Sequence, residues 1–153
     1  MRIFLTIIAT LWISIASAQW GGGGGGTVNN TAANTNRVLC SIRTANFNTT
    51  ADQTCSIPGT ITAWNPTSVL VTNCSASLTL AAGGVYPAAS KGGTAIVAAA
   101  QVYTALTAAT IILPLTLATG NTRYTVSSVF LSLTTGQGTA ATCDFYLIGN
   151  DLT

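Results

Sequence analysis

Two short runs near the C-terminal end constrain the fold of this chain more than any other feature. Ser128 to Leu133 places Ser128, Phe130 and Ser132 in one register and Val129, Leu131 and Leu133 in the other. Cys143 to Ile148 divides in the same way into Cys143, Phe145 and Leu147 against Asp144, Tyr146 and Ile148. A period of two puts alternate side chains on opposite faces of a strand, so both runs read as strands with one buried face. The intervening TTGQGTAAT holds two glycines and no large apolar side chain, which predicts an antiparallel hairpin with a longer loop.

Similar signals recur upstream. VLCSIR sets Val38, Cys40 and Ile42 against Leu39, Ser41 and Arg43, a first strand, and residues 44–59 read as a polar loop that returns Cys55 to the body of the domain. TITAW is expected as a short strand ending at Asn65-Pro66, Thr67 to Asn73 and Ser77 to Ala81 as two more, and Gly83-Gly84 as the end of that unit. Thr94 to Ala118 carries no charge and is long enough to span a bilayer, but Gln101, Pro114 and the recurrent Thr assign it to a core instead. Within it Ala98 to Ala108 is expected as a short helix or irregular crossover, and Ile111 to Leu117 as a strand that Pro114 confines to an edge or bulge. About seven short strands with at most one short helix predict an all-β fold, an antiparallel β-sandwich of the jelly-roll kind.

The chain begins with an uncharged apolar run, Ile3 to Ile15, behind Arg2 and before Ala16-Ser17-Ala18, the pattern of a cleaved signal peptide over residues 1–18. Cleavage would leave Gln19 at the N-terminus and no stable membrane insertion. Six glycines, Gly21 to Gly26, and the Asn/Thr-rich stretch after them cannot bury apolar surface, so 19–36 reads as a tether and 37–153 as the folded domain. A phosphate-cradling loop would need a following Lys, and none is present. The four cysteines, Cys40, Cys55, Cys74 and Cys143, lie beyond the cleavage site and imply two disulfides formed in an oxidising compartment, with three pairings open. Asn29, Asn48 and Asn73 begin glycosylation sequons, a pattern that arises by chance in a Thr/Asn-rich chain and matters only in a eukaryotic secretory pathway.

Only 5% of the residues are charged, against roughly 25% in an average soluble domain. The net charge of +2 comes from too few cations to form a phosphate-binding stripe, so nucleic acid is not an expected partner. There is no His and no Glu, leaving Asp52, Asp144 and Asp151 as the only carboxylate side chains. Ser90-Lys91 is the one nucleophile beside an amine, but adjacent residues usually point apart and the flanking glycines mark a turn. No zinc pattern occurs, and a calcium site at Asn150 and Asp151 would lack further acidic ligands. The expectation is therefore a non-enzymatic protein with no cofactor and no metal. For binding, the candidates are aromatic, Trp20, Trp64, Tyr86, Tyr103, Tyr124 and Tyr146, which could line a sugar-stacking or hydrophobic groove; the favoured reading assigns Trp64, Tyr103 and Phe145 to the core, half-buries the others and leaves Trp20 on the tether.

The segments VLVTN (Val69 to Asn73), LTLAAGGVY (Leu78 to Tyr86), AASKGGTAIVAAAQVYTALTAA (Ala88 to Ala109), LTLA (Leu115 to Ala118) and VFLSLTTGQGTAATCDFYLIGND (Val129 to Asp151) resemble a group of small proteins of tailed bacteriophages and marine viruses. Those proteins are of the virion-structural type. The resemblance covers the C-terminal half to two-thirds of the chain and implies a structural role on a particle, with no functional residue to carry over. In that group the positions of Cys74 and Cys143 are commonly small residues such as Ala. Cysteines that replaced small residues facing each other would bridge, so the resemblance implies Cys74 with Cys143, leaving Cys40 with Cys55. The function expected is a surface or decoration subunit of a virion, or an exported coat or fibre subunit that self-associates as a homo-oligomer. The alternative is a secreted monomeric adhesin or carbohydrate-binding module whose partner is a cell-surface glycan.

Overall fold

A computed structural model describes residues 36–107 and 109–153. The expected signal peptide, nearly all of the expected tether and Trp20 lie outside the described residues. The strands are β1 (Asn36–Asn46), β2 (Gln53–Ser56), β3 (Trp64–Thr72), β4 (Ala82–Tyr86), β5 (Ile112–Leu115), β6 (Ser128–Thr135) and β7 (Thr142–Asp151). They form two antiparallel sheets, β1-β7-β3-β5 and β2-β6-β4, and no helix occurs among the described residues.

The connectivity is that of a jelly roll with one frayed strand. Residues 96–103 run antiparallel beside β4 through the bridges Val85↔Val97 and Ala82↔Val102 and hydrogen bonds such as Gly83 N to Gln101 O at 2.9 Å. Counted as a fifth strand, this segment makes β5, β6 and β7 the sixth, seventh and eighth, and the sheet orders become 1-8-3-6 and 2-7-4-5. Each sheet then zigzags between early and late strands, the order of two interlocked Greek keys. Of the Ala-rich stretch expected as a short helix or irregular crossover, residues 98–103 belong to this irregular strand, whose backbone partners come from β4.

The alternating faces of the two C-terminal runs are correct. Val129, Leu131 and Leu133 of β6 and Phe145 and Leu147 of β7 are fully buried, facing each other with Leu39, Val69, Val71 and Val85. The hairpin between them is not formed. β6 pairs with β2 and β4, β7 pairs with β1 and β3, and the connection crosses from one sheet to the other. Alternation reports which face is buried, and two strands packed across a sandwich satisfy it as well as two in one ladder.

The side chain that turns this crossing is Gln137. Its Oε1 accepts from the backbone N–H groups of Thr79, Leu80 and Ala81 at 2.9, 3.0 and 3.3 Å, while Nε2 donates to Thr79 Oγ1 and Ser77 O. Ser77 to Ala81, expected as a strand, is therefore held by one buried amide instead of a ladder. Gly83 and Gly84 do not end a unit but sit inside β4. A Cβ on Gly83 would fall onto the Leu133 backbone and within 2.6 Å of the Ser132 carbonyl oxygen, and one on Gly84 would meet the Val97 carbonyl. These glycines let β6 and the frayed strand approach on either side.

Three further expectations change for local reasons. The expected polar loop after VLCSIR is shorter and holds a strand, because β1 continues to Asn46, Phe47 is buried edge-on against Tyr103, centroids 5.0 Å apart, and Gln53–Ser56 pairs with β6 as β2. Strict alternation in β1 fails at Leu39, where a register shift between Val38 and Cys40 buries both Leu39 and Cys40. TITAW is not a strand, since β3 starts at Trp64 and runs through Pro66 with a register shift before Ser68 that accommodates the missing N–H. Pro114 does lie on an edge strand, β5.

Two disulfides staple the sandwich, Cys40–Cys55 joining the edges of the two sheets and Cys74–Cys143 tying the end of β3 to β7. They close loops of 15 and 69 residues. In the chain-entropy treatment these constrain the unfolded chain by about 3 and about 4.4 kcal/mol. Removing Cys74–Cys143 by paired Ala substitution should thus lower the denaturant midpoint more than removing Cys40–Cys55 does. Gly83→Ala should cost about 1 to 3 kcal/mol by overpacking, measured by urea unfolding. Gly120→Ala, where an added Cβ meets nothing within 4 Å, should change stability by less than about 0.5 kcal/mol.

Candidate functional site: the outer face of the four-stranded sheet

The register of the β1-β7-β3-β5 sheet sorts its side chains into rows. Cys40, Leu147, Val69 and Leu115 form one inner row, and Ile42, Phe145, Val71 and Leu113 another. On the opposite face the rows are Ser41–Tyr146–Leu70–Pro114, Val38–Ile148–Ser68, and Asp144–Thr72–Ile112. Directly opposed residues share a face, so this outer surface carries Val38, Leu70, Pro114, Ile112, Tyr146 and Ile148 side by side. Val38 is 49% and Ile112 54% exposed, Pro114 is exposed, and Leu70, Tyr146 and Ile148 are half-buried.

The polar part of this face is built around Asp144. A register shift between Ile42 and Ala45 places Arg43 and Thr44 opposite Asp144, and Thr44 adopts a φ of 52°. The carboxylate accepts from Thr44 N at 3.0 Å, Arg43 Nη1 at 2.8 Å and Asn73 Nδ2 at 3.3 Å. Asn73 also has a φ of 52°, so two left-handed residues converge on one carboxylate from β1 and from the end of β3. The Thr44 N–H, with Arg43 and Asn73, holds the Asp144 carboxyl below the usual carboxylate range against the opposing effect of burial. The Arg43 guanidinium, its own acidity weakened chiefly by the Asp144 hydrogen bond, lies 4.9 Å above the Tyr146 ring. The ion pair is closed within the face, and Tyr146 is covered by it.

The other residues singled out from sequence are placed as follows. Asp52 and Ser90-Lys91, distant in sequence, meet at one end of the sandwich. Ser132 Oγ donates to Asp52, the Ser90 N–H donates to it at 2.5 Å, and these bonds lower the Asp52 pKa. Ser90 and Lys91 are both left-handed, with φ of 55° and 59°. The Ser90 contact to Asp52 is through its backbone, so the geometry latches two loops and sets up no hydroxyl–amine pair. Asp151 is committed to Thr153 and to Arg37 at 3.3 Å, which leaves no open carboxylate beside Asn150. Among the described residues no group of three or more His, Cys, Asp or Glu comes together.

Of the aromatic candidates, Tyr86 is buried in β4. Tyr124 stacks on Trp64, centroids 4.8 Å apart and planes 24° apart, with its hydroxyl 2.9 Å from Thr119 Oγ1. Tyr146 was placed by its alternation but not its role, because the guanidinium above it comes from a strand bulge that no spacing announces. Two disulfides are compatible with an extracellular or otherwise oxidising location. Among the described residues no helix is long and apolar enough to cross a membrane.

Because its folded pKa is depressed, Asp144 contributes stability that is fully present above the unfolded carboxylate range and is lost as pH falls through the folded value. Thermal unfolding should accordingly be flat from neutral pH to about pH 5 and weaken below about pH 4. Asp144→Ala, which strands the Thr44 N–H and Arg43, should cost about 1 to 3 kcal/mol at neutral pH and shrink that acid-side loss. No protein family, curated protein or solved structure compared with this chain matches it.

Proposed function

We propose that the chain is a non-enzymatic structural subunit that self-associates, either on the surface of a virion or as an exported coat or fibre component. The observation that carries this reading is the outer face of the β1-β7-β3-β5 sheet, where six apolar or aromatic residues adjoin and the nearby charges, Arg43 and Asp144, neutralise each other. Monomeric proteins seldom leave such a surface open without a use for it. The jelly-roll connectivity is compatible with this role, since coats and decorations are among its recurrent uses, although the fold alone assigns none. The particle form rests on the resemblance of five segments between Val69 and Asp151 to a mostly uncharacterised group of small tailed-phage and marine viral proteins. The signal-like N-terminus and the two disulfides support the exported form.

A catalytic reading has less to stand on. Each of the three aspartates is engaged by hydrogen-bond donors that hold its pKa down, the reverse of what a general base working near neutral pH needs. A glycan-binding reading needs an open aromatic platform. Tyr86 is buried, Tyr124 is stacked on Trp64, and Arg43 lies over Tyr146.

The oxidised chain beginning at Gln19 should elute and scatter light as a defined oligomer or a polymer whose mass grows with concentration. A species that stays at the monomer mass up to high micromolar concentration would sink the self-association reading and direct the work to glycan and cell-surface screens.

A further inference from the structure

If the chain self-associates as proposed above, its fold limits where. Strand addition at a sheet edge is the cheapest way for β proteins to assemble, and here each edge is guarded. At β1, the Gln53 side chain accepts from Asn46 N at 2.6 Å and donates to Asn46 O at 2.8 Å, and the Cys40–Cys55 bridge fastens β2 alongside. β2 has four residues, and β5 has four of which one is Pro114. The open side of β4 is taken by residues 96–103. Edge-to-edge growth is therefore obstructed at β2, β4 and β5, and at β1 where Asn46 and Cys40 are engaged.

We infer that a second copy of this chain packs on the outer face of the β1-β7-β3-β5 sheet, through the rows Ser41–Tyr146–Leu70–Pro114 and Val38–Ile148–Ser68. The inference rests on the self-association reading. Three properties select a copy of the chain as the occupant. The face carries no unpaired charge, because Arg43 is bound to Asp144 at 2.8 Å, so the same patch meets itself without like-charge repulsion. The guanidinium over Tyr146 removes the ring face that a sugar would stack on and offers an amphipathic cap that a second apolar sheet face tolerates. The first row crosses all four strands and the second crosses β1, β7 and β3, so their apolar side chains lie in adjoining rows on which a second sheet face can pack.

The experiment compares four variants of the oxidised chain from Gln19 by light scattering over a concentration series, with thermal melts confirming the fold. Leu70→Asp places a carboxylate at the centre of the face. Ser41→Arg, at an exposed position in the same row, adds charge without entering the core. Both should weaken association by roughly tenfold or more, since two like charges meet across a self-complementary contact. Leu80→Asp alters a separate exposed residue, 61% accessible and outside both rows, and should leave association unchanged, as should Trp20→Ser on the N-terminal segment. An oligomer that survives Leu70→Asp and Ser41→Arg overturns this face while self-association stands. If it instead falls apart on Trp20→Ser or Leu80→Asp, the N-terminal segment or the other apolar site is the contact. A monomeric parent chain overturns both the face and the reading beneath it.

Discussion

The sandwich depends on β7 more than on any other strand. It holds β1 on one side and β3 on the other, and through Cys143 it is covalently tied to Cys74 at the end of β3. Its inner residues, Cys143, Phe145 and Leu147, lie in the core between the sheets. Gly149 near its end has no room for a side chain, because a Cβ there would meet the Asn65 carbonyl and lie 2.8 Å from Leu39 Cδ1. That close approach lets the bulged Leu39 fold inward and cover the end of the core. A strand late in sequence that sits between early ones can pair only after the chain has nearly all been made. The contacts are accordingly long-range, and β1 must wait for a partner more than a hundred residues away. The Cys74–Cys143 bridge closes the longer of the two loops and so removes more of the unfolded chain's freedom.

With so little charge available, buried polar groups other than Asn65 Oδ1 are satisfied by amides, hydroxyls and single well-placed carboxylates. Gln137 shows the economy of this arrangement: one side chain accepts from three successive backbone N–H groups and donates to the same segment. Asp144 gathers a backbone N–H, a guanidinium and an amide, and Asp52 a hydroxyl and a backbone N–H. In each case the polar side chain links segments far apart in sequence, so it substitutes for ladder bonds where the backbone leaves a sheet. Burying these groups unpaired would cost far more than each bond contributes, which makes them guardians of register more than sources of stability.

The parts of this structure that could be read from sequence are those in which local pattern and burial coincide. Val129, Leu131 and Leu133, and Cys143, Phe145 and Leu147, follow a strict alternation because each lies in a regular strand with one face on the core. Pro114 announced an edge or a bulge because it cannot donate to a ladder, whereas the count of seven strands agrees only because TITAW and Ser77 to Ala81 are not strands while β2 and β4, read as loop and unit end, are. What could not be read was partnership. The β6–β7 hairpin was the simplest closure of two adjacent runs, yet a sandwich offers the second solution of packing across, and nothing local distinguishes the two. Ser77 to Ala81 has strand composition, but the N–H groups of Thr79, Leu80 and Ala81 go to Gln137, 56 to 58 residues downstream, and that of Leu78 goes to Leu106 O. Gly83 and Gly84 read as a turn because glycine's usual role is conformational, whereas here their lack of a side chain admits neighbouring backbone. At the candidate site Tyr146 and Asp144 fell on the predicted face, while the bulge that delivers Arg43 to them is a tertiary feature.

Charge scarcity also bears on how the exposed surface is arranged. A flat apolar sheet face and an open edge together would invite unlimited cross-strand growth. Here the two hazards are separated. The edges are obstructed by Pro114, the frayed strand at 96–103, the shortness of β2 and, at the end of β1, Gln53. The outer face keeps apolar side chains but interrupts them with Ser41, Ser68 and Thr72, and Arg43 stays mostly exposed to water over Tyr146. A surface of this kind favours contact of one defined shape, since packing complementarity across rows of side chains is specific while backbone addition at an edge is not. On this face the charged groups are Arg43 and Asp144, and each is engaged by the other, so the apolar rows beside them carry no stranded charge.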